Sequence, residues 1–367
     1  YAMASCLVGS EMCIRDRFIS LFLKIVIEVT PMEFLGSNIL SIDQFNRKDI
    51  DLIFKTADSL FPFASRQKIT RVLQGAILSN MFFEPSTRTR ISFGSAFNML
   101  GGEVRETTEI EATSLAKGES LYDTSRVLSG YSDVIVMRHP LAGSVAEFAE
   151  ASRVPVINGG DGDNEHPSQA LLDLFTIKKE LESHNKEIDT ARIALIGDLK
   201  FGRAAHSLCK ILMLYTNISI KLVSPDKLKL PDFLISEFKK KNISILETQD
   251  IKEGIADVDI IYMTRIQEER FDNVSEANKY KGLMSLNQEI YTKNCEPNTI
   301  IMHPLPRDSR KDANELDDDL NQNPNLAIYR QTDNGLLIRM ALFCLILGVA
   351  DKIEDSASPV DWFSNKS

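Results

Sequence analysis

Phe82-Phe83-Glu84-Pro85-Ser86-Thr87-Arg88-Thr89-Arg90 follows an apolar, strand-like run and precedes a segment whose residues Ile91, Phe93, Phe97, Met99 and Leu100 recur at helical spacing. A strand that turns directly into a helix leaves the first helical N–H groups without partners, and the dipole there favours an anion. This turn adds the hydroxyls of Ser86, Thr87 and Thr89 and the guanidiniums of Arg88 and Arg90. Hydroxyls donate to phosphate oxygens and arginines grip them with two prongs. An ordinary helix cap would need only one of these side chains. The density of donors reads as a phosphate cradle that requires neither a glycine loop nor a metal.

Outward from this turn, strands and helices alternate. Residues 39–60 read as a helix with Asn46 and Asp49 as start signals, 103–108 as a strand, 109–119 as a polar loop and 121–131 as a helix. Strands at 132–138 and 154–158 flank a helix at 144–152, and a long amphipathic helix over 167–181 leads into a second series. That series has strands at 191–196, 218–223, 243–247, 258–263 and 299–302. The expected fold class is α/β, with two doubly wound parallel-sheet domains and an apolar C-terminal helix packing back on the first. The domains are expected at 32–167, with the helix region 335–350, and at 168–334.

A chain of 367 residues with 43% apolar and 26% charged residues has room for two cores. A net charge of -10 argues against a nucleic-acid partner, which calls for an extended basic face. The five cysteines (Cys6, Cys13, Cys209, Cys295, Cys344) are scattered and unpaired in spacing, as in reduced, cytoplasmic proteins. In residues 1–31, Arg15 and Arg17 precede an apolar run that Lys24 and Glu28 interrupt. This run is too short to span a membrane, no cleavage site follows, and the segment reads as a non-native extension before Met32. The tail 351–367 is polar and is expected to fray.

Three histidines precede proline, His139, His166 and His303, each beyond a strand or at a helix start, which suggests a shared site at the strand ends. Arg138 ends its strand toward the same pocket. His166-Pro167-Ser168-Gln169 directs an imidazole and an amide to one place, and His303-Pro304-Leu305-Pro306-Arg307 reads as a rigid loop offering carbonyls, with room for a cis bond. Arg203 and Arg265 stand at strand ends of the second domain, where each can clamp a carboxylate. Gly197-Asp198-Leu199-Lys200-Phe201-Gly202 lacks the second glycine of a dinucleotide loop, so no nicotinamide cofactor is expected. The histidines lack metal-ligand spacing, and no metal is expected either.

These elements, in this order from about residue 39 to 348, resemble the carbamoyltransferase family. The nonapeptide is similar to its carbamoyl phosphate signature. The ornithine-using members carry a His-Cys-Leu-Pro loop and a Ser-Met-Gly element, which this chain lacks. Thr113-Ser114-Leu115-Ala116-Lys117-Gly118-Glu119, Gly197 to Arg203 and Met263-Thr264-Arg265-Ile266-Gln267-Glu268-Glu269-Arg270 resemble the aspartate-using branch. The resemblance implies carbamoyl transfer from carbamoyl phosphate to the amine of L-aspartate, for pyrimidine biosynthesis, without a covalent intermediate or a cofactor. It implies that Ser86, Thr87, Arg88 and Thr89 hold the phosphate, with Thr89, Arg138 and His166 on the carbonyl oxygen and Gln169, Pro304 and Leu305 near the carbamoyl group. Arg203 would take the α-carboxylate, Arg265 with Gln267 the β-carboxylate, and Leu305 would also touch aspartate. Ser114 and Lys117 would reach a neighbouring subunit's site in a homotrimer. Glu84 would pair with Arg203 and Arg270 as the segment 265–282 closes. The resemblance also leaves room for regulatory chains on that trimer.

Overall fold

Ile77-Leu78-Ser79-Asn80-Met81-Phe82 is the central strand of the first sheet, and every residue from Leu78 onward is buried, as in parallel strands covered on both faces. The computed structural model describes residues 32–108, 117–310 and 313–362. The extension expected at 1–31 and the side chain of Ser114 lie outside the described residues. After the short β1 (Lys68–Ile69), the strands β2 (Ile77–Phe82), β3 (Glu103–Thr107), β4 (Val134–His139) and β5 (Val156–Asp161) form one sheet in the order β3-β2-β4-β5, all parallel. A second all-parallel sheet has the order β10-β9-β6-β7-β8. Its strands are β6 (Arg192–Ile196), β7 (Ser219–Val223), β8 (Ser244–Thr248), β9 (Ile260–Met263) and β10 (Ile300–Met302).

Each sheet grows outward from its first strand and then returns to that strand's other side, placing β4 beside β2 and β9 beside β6. Such reversals open a crevice at the carboxyl ends of the strands, where the two crossovers diverge. The polar motifs read from the sequence all leave those ends. The expected α/β architecture with two doubly wound parallel sheets is the one observed.

The last long helix, Ile328–Ile346, starts seven residues before the expected position, so that Gln331 lies within it. Every residue from Leu337 to Ile346 is buried, because the helix packs across Arg47–Ser59, Thr87–Met99 and Pro167–Ser183 and has no water-facing side there. Phe343 meets the rings of Phe93 and Phe97 edge-on at 6.0 and 5.0 Å. Among the described residues no helix is long and apolar enough to cross a membrane.

Two local expectations change. The helix expected over 39–60 begins only at Arg47, where Asn46 accepts from the N–H of Lys48 and Asp49, and Asp49 accepts from the N–H of Asn46. Ile39 instead runs extended beside β5, donating to Val156 O and accepting from Asn158 N–H, both at 2.8 Å. The described part of the tail, 351–362, is held to the fold rather than frayed. Ser358–Pro359 (β11) pairs with β1, and Thr70 donates its hydroxyl to Ile353 O.

The second sheet is clamped at its entry by Asp259. Its carboxylate accepts from the Arg192 N–H at 2.9 Å, from Arg192 Nε and Nη2, and from Lys186 Nζ at 2.6 Å. Burial pulls this carboxyl upward, but Arg192 and Lys186 outweigh it and hold the pKa at about 2, below the ordinary 3.8. A depressed carboxyl stabilises the fold above its unfolded pKa, and the effect disappears as pH falls through the folded value. Asp259→Asn should therefore cost roughly 1–2 kcal/mol at pH 7, after allowing for half-exposed partners. Urea denaturation at descending pH should show the gap narrowing below about pH 4.

Candidate active site

Ser86 takes the N-cap position of the helix Thr87–Met99 with extended backbone, yet its side chain makes no cap hydrogen bond and the first turn holds no acidic residue. The helix start therefore keeps its attraction for an outside anion. Ser86, Thr87, Arg88 and Thr89 line a cleft of about 740 Å³ between the two sheets' loops. Arg90 does not join them. It turns away to pair with Glu106 on β3 at 2.6 Å, which corrects the expectation that both arginines of the turn grip phosphate. Burial, and then the nearby Arg265, lower the pKa of Arg88. Both arginines line the one cleft.

One carboxylate holds three guanidiniums at the cleft's centre. Glu84, from the loop after β2, accepts from Arg138 Nε at 3.1 Å, Arg203 Nη1 at 3.1 Å and Arg270 Nη2 at 3.5 Å. Arg138 comes from β4, whereas Arg203 and Arg270 come from the loops after β6 and β9, so Glu84 joins the two sheets' loops. Gly162 O accepts from both Arg203 and Arg270. Arg138 is only 8% exposed, and burial, then Arg203, lower its pKa to about 10. Gly160, at φ +117°, lets Arg138 and Arg203 approach, since a Cβ there would lie 3.3 and 3.4 Å from their guanidiniums.

Asp198 organises the facing loops. Its carboxylate accepts from the N–H groups of Lys200 and Phe201 in the β6 loop and of Gln267 in the β9 loop. The same closeness demands glycine at 197, where a Cβ would meet Thr264 O at 2.1 Å. Arg265 and Gln267 line the cleft beyond this contact. The Arg265 fork holds Glu269 with both its Nη atoms, and Gln267 Nε2 donates to Arg265 O at 3.3 Å.

The three His-Pro elements separate. His139 does not line the cleft. Its Nδ1 accepts from the Leu141 N–H and its ring lies edge-on to Phe83. His303 lines the cleft, but Nδ1 accepts from the Leu305 N–H, so Nε2 carries the hydrogen and donates to Glu315 at 2.8 Å. His303 thus shapes the loop that presents Pro304 and Leu305, in which the Leu305–Pro306 bond is cis. His166 differs: its backbone N–H donates to Ser207 Oγ, while ring Nδ1 is buried with no partner among the described residues. Burial, then Arg138 and Arg203, push its pKa well below 6.5, so the ring is neutral. Gln169 lines the cleft and donates Nε2 to Asp173 at 2.8 Å.

Lys117 is exposed and is not part of its own chain's cleft. The sequence reading missed Asp173, Asp198, Glu315, Gln331 and Arg339. Two of these had a signal, since Asp173 and Arg339 are lone charges within apolar helical runs.

An anion turn thus faces a pair of carboxylate-sized clamps across one cleft. Residues 37–179 match the family described as aspartate/ornithine carbamoyltransferase, carbamoyl-P binding domain, and residues 189–346 match its Asp/Orn binding domain. The chain belongs to the aspartate/ornithine carbamoyltransferase family. It is 64% identical to the aspartate carbamoyltransferase catalytic subunit of Cellvibrio japonicus, over 91% of this chain and 99% of that one. It is 45% identical to the corresponding subunit of Methanosarcina barkeri, over 87% of this chain and 100% of that one. The solved aspartate transcarbamoylase of Trypanosoma cruzi, in complex with carbamoyl phosphate and aspartate, matches with a TM-score of 0.78 at 36% identity, covering 87% of this chain and 100% of that one. The likeness to the aspartate-using branch, first seen in the late loop and the absent Ser-Met-Gly, is borne out by these relatives.

Because Arg88 faces the cleft and Arg90 does not, their truncations should differ. Inorganic phosphate should raise the melting temperature of the wild-type chain. Arg88→Ala should weaken that binding at least about tenfold and Arg90→Ala by less than about twofold, read by calorimetric titration.

Proposed function

We propose that this chain transfers the carbamoyl group of carbamoyl phosphate to the amine of L-aspartate, giving N-carbamoyl-L-aspartate and phosphate. The observation that carries the reading is the pair of cationic clusters on one cleft, Arg88 on the anion turn and Arg203 with Arg265 on the opposite loops. A phosphate leaving group and a dicarboxylic amine need those two separate grips, whereas the cationic tail of ornithine would call for an acidic pocket.

Ser86, Thr87, Arg88 and Thr89 hold the phosphate. Gln169 and the carbonyls of Pro304 and Leu305 orient the carbamoyl NH2. Arg203 binds the α-carboxylate, and Arg265 with Gln267 binds the β-carboxylate, which takes the place of Glu269 in the Arg265 fork. The amine lone pair attacks the carbonyl carbon. Negative charge then grows on the carbonyl oxygen, where Thr89, Arg138 and neutral His166 supply donors in a water-poor cleft. The C–O bond to phosphate breaks as the intermediate collapses, and the departing phosphate accepts the amine proton. The protein contributes position and field rather than a nucleophile.

Glu84, bonded to Arg203 and Arg270 from the other sheet, favours the closed cleft, and residues 265–282 move when it opens. The domains divide at 167/168, with 335–350 returning to the first. Ser114 and Lys117 serve the neighbouring active site of a homotrimer. The enzyme acts in the cytoplasm and its product enters pyrimidine biosynthesis.

A colorimetric carbamoyl-aspartate assay should give product with aspartate and none with ornithine; carbamoylation of ornithine alone would overturn the reading. Arg265→Ala should lower kcat/KM for aspartate by at least about a hundredfold while leaving phosphate binding intact. Mixing Lys117→Ala and Arg88→Ala chains, each inactive alone, should restore activity through sites built from two subunits. No recovery would remove the shared site.

A further inference from the structure

Asp173 lies on the helix Pro167–Ser183 within the run Leu171-Leu172-Asp173-Leu174-Phe175 and is completely buried. A buried carboxylate must find donors or it destabilises the fold. It has three, from three different elements. Gln169 Nε2, one turn earlier on the same helix face, donates to Oδ1 at 2.8 Å. Gln331 Nε2, on the last long helix, donates to Oδ1 at 2.6 Å. The Tyr262 hydroxyl, on β9, donates to Oδ2 at 2.6 Å.

A carboxylate only accepts, so each glutamine must turn its NH2 toward Asp173 and its carbonyl oxygen away. For Gln331 the far oxygen is used at once: it accepts from the His303 N–H at 3.0 Å. That N–H stands directly before Pro304 and Leu305, the residues assigned above to the carbamoyl NH2. For Gln169, whose side chain lines the cleft, Oε1 has no partner among the described residues.

We propose that Asp173 is the positioning residue that fixes the amide orientation of Gln169 and Gln331. It thereby makes the cleft specific for an acyl phosphate bearing an NH2 group. An oxygen facing the cleft accepts from a carbamoyl NH2. A flipped Gln169 would oppose NH2 with NH2 and favour a different acyl group. Burial pushes the Asp173 carboxyl up to about 7. A protonated carboxyl donates as well as accepts, so the carboxylate fixes the orientation on the alkaline side of that value. Arg339, from the same helix as Gln331, is the guanidinium that acts on this carboxyl. The proposal rests on the carbamoyl-transfer reading and goes beyond it by naming what selects the carbamoyl group.

Acetyl phosphate, with a methyl in place of NH2, is the probe. Asparagine at 173 can donate as well as accept, so it admits both amide flips with little change of shape. In the full-length chain, Asp173→Asn should raise KM for carbamoyl phosphate about tenfold and leave Ki for acetyl phosphate within about twofold. On a Gln169→Ala background the same change should add less than about twofold, because the His303 N–H still holds the Gln331 oxygen and the effect passes through Gln169. Tyr262→Phe, which removes a bond to the other carboxylate oxygen, should lower the melting temperature and leave both constants unchanged. The proposal is overturned if KM and Ki rise together, if KM does not move, if the two substitutions multiply, or if Tyr262→Phe raises KM equally. A wild-type chain that makes no carbamoyl aspartate would sink the transfer reading separately. The melting-temperature shifts given by carbamoyl and acetyl phosphate would still report whether Asp173→Asn erases discrimination between them.

Discussion

Among the described residues six arginines line the cleft, and the carboxylates of Glu84 and Glu269 are bonded to them. Guanidiniums confined to a partly dry space repel one another more than they would in water. Burial and neighbouring arginines lower the pKa values of Arg88 and Arg138, which expresses the same cost in the protonation equilibrium. Such an arrangement persists only because the fold imposes it, and anions entering the cleft relieve it. Glu84 is the minimum internal neutralisation that brings the two groups of arginines together.

The fold imposes it through strand direction. Parallel strands deliver all their carboxyl ends to one edge of a sheet, and two such edges facing each other aim five loops at a common volume. Each loop is then locked by backbone-directed polar contacts. Asp198 accepts from N–H groups on two loops, His303 bonds the next turn of its own loop, and the Gln331 oxygen holds the His303 N–H. These contacts remove the freedom of the loops that line the cleft.

What the sequence disclosed follows the range of the physics involved. The anion turn was legible because every component lies within about fourteen consecutive residues, 77–90: an apolar strand, a helix start and the donors between them. Even there, Arg88 and Arg90 looked equivalent, although residues two apart on a helix point to different sides, so one faces the cleft and the other Glu106. The three His-Pro pairs read alike because a local pattern does not contain the partner that decides each ring's role. Phe83 for His139 and Glu315 for His303 are that information, and for His166 it is burial beside Arg138 and Arg203. Ile39 was read as helical for the same reason, since its bonding partner, β5, lies more than a hundred residues away. Asp173 did leave a local mark as a charge inside an apolar helix. Its meaning required Tyr262 and Gln331, which only the packed structure supplies.

The excess of positive charge also bears on the nucleophile. On the proposed reaction, aspartate arrives mostly as an ammonium, which has no lone pair to attack with. A neighbouring cation disfavours a second positive charge, so the field of Arg138, Arg203 and Arg265 lowers the pKa of that ammonium. The same arginines attract the two carboxylates, so one charge distribution both holds the substrate and favours release of its amine proton. That first proton leaves to solvent before attack, the departing phosphate takes the second as the intermediate collapses, and anion binding at the adjacent turn balances part of the charge that made the cleft unfavourable when empty. The order of events then has a physical basis. On the proposed reaction, anion binding at Ser86–Thr89 would reduce the repulsion among the guanidiniums, lower the cost of bringing the loops together on Glu84, and so prepare the second pair of clamps for a dicarboxylate. Coupling between the two halves of the cleft needs no separate device, since both halves draw on the same set of charges.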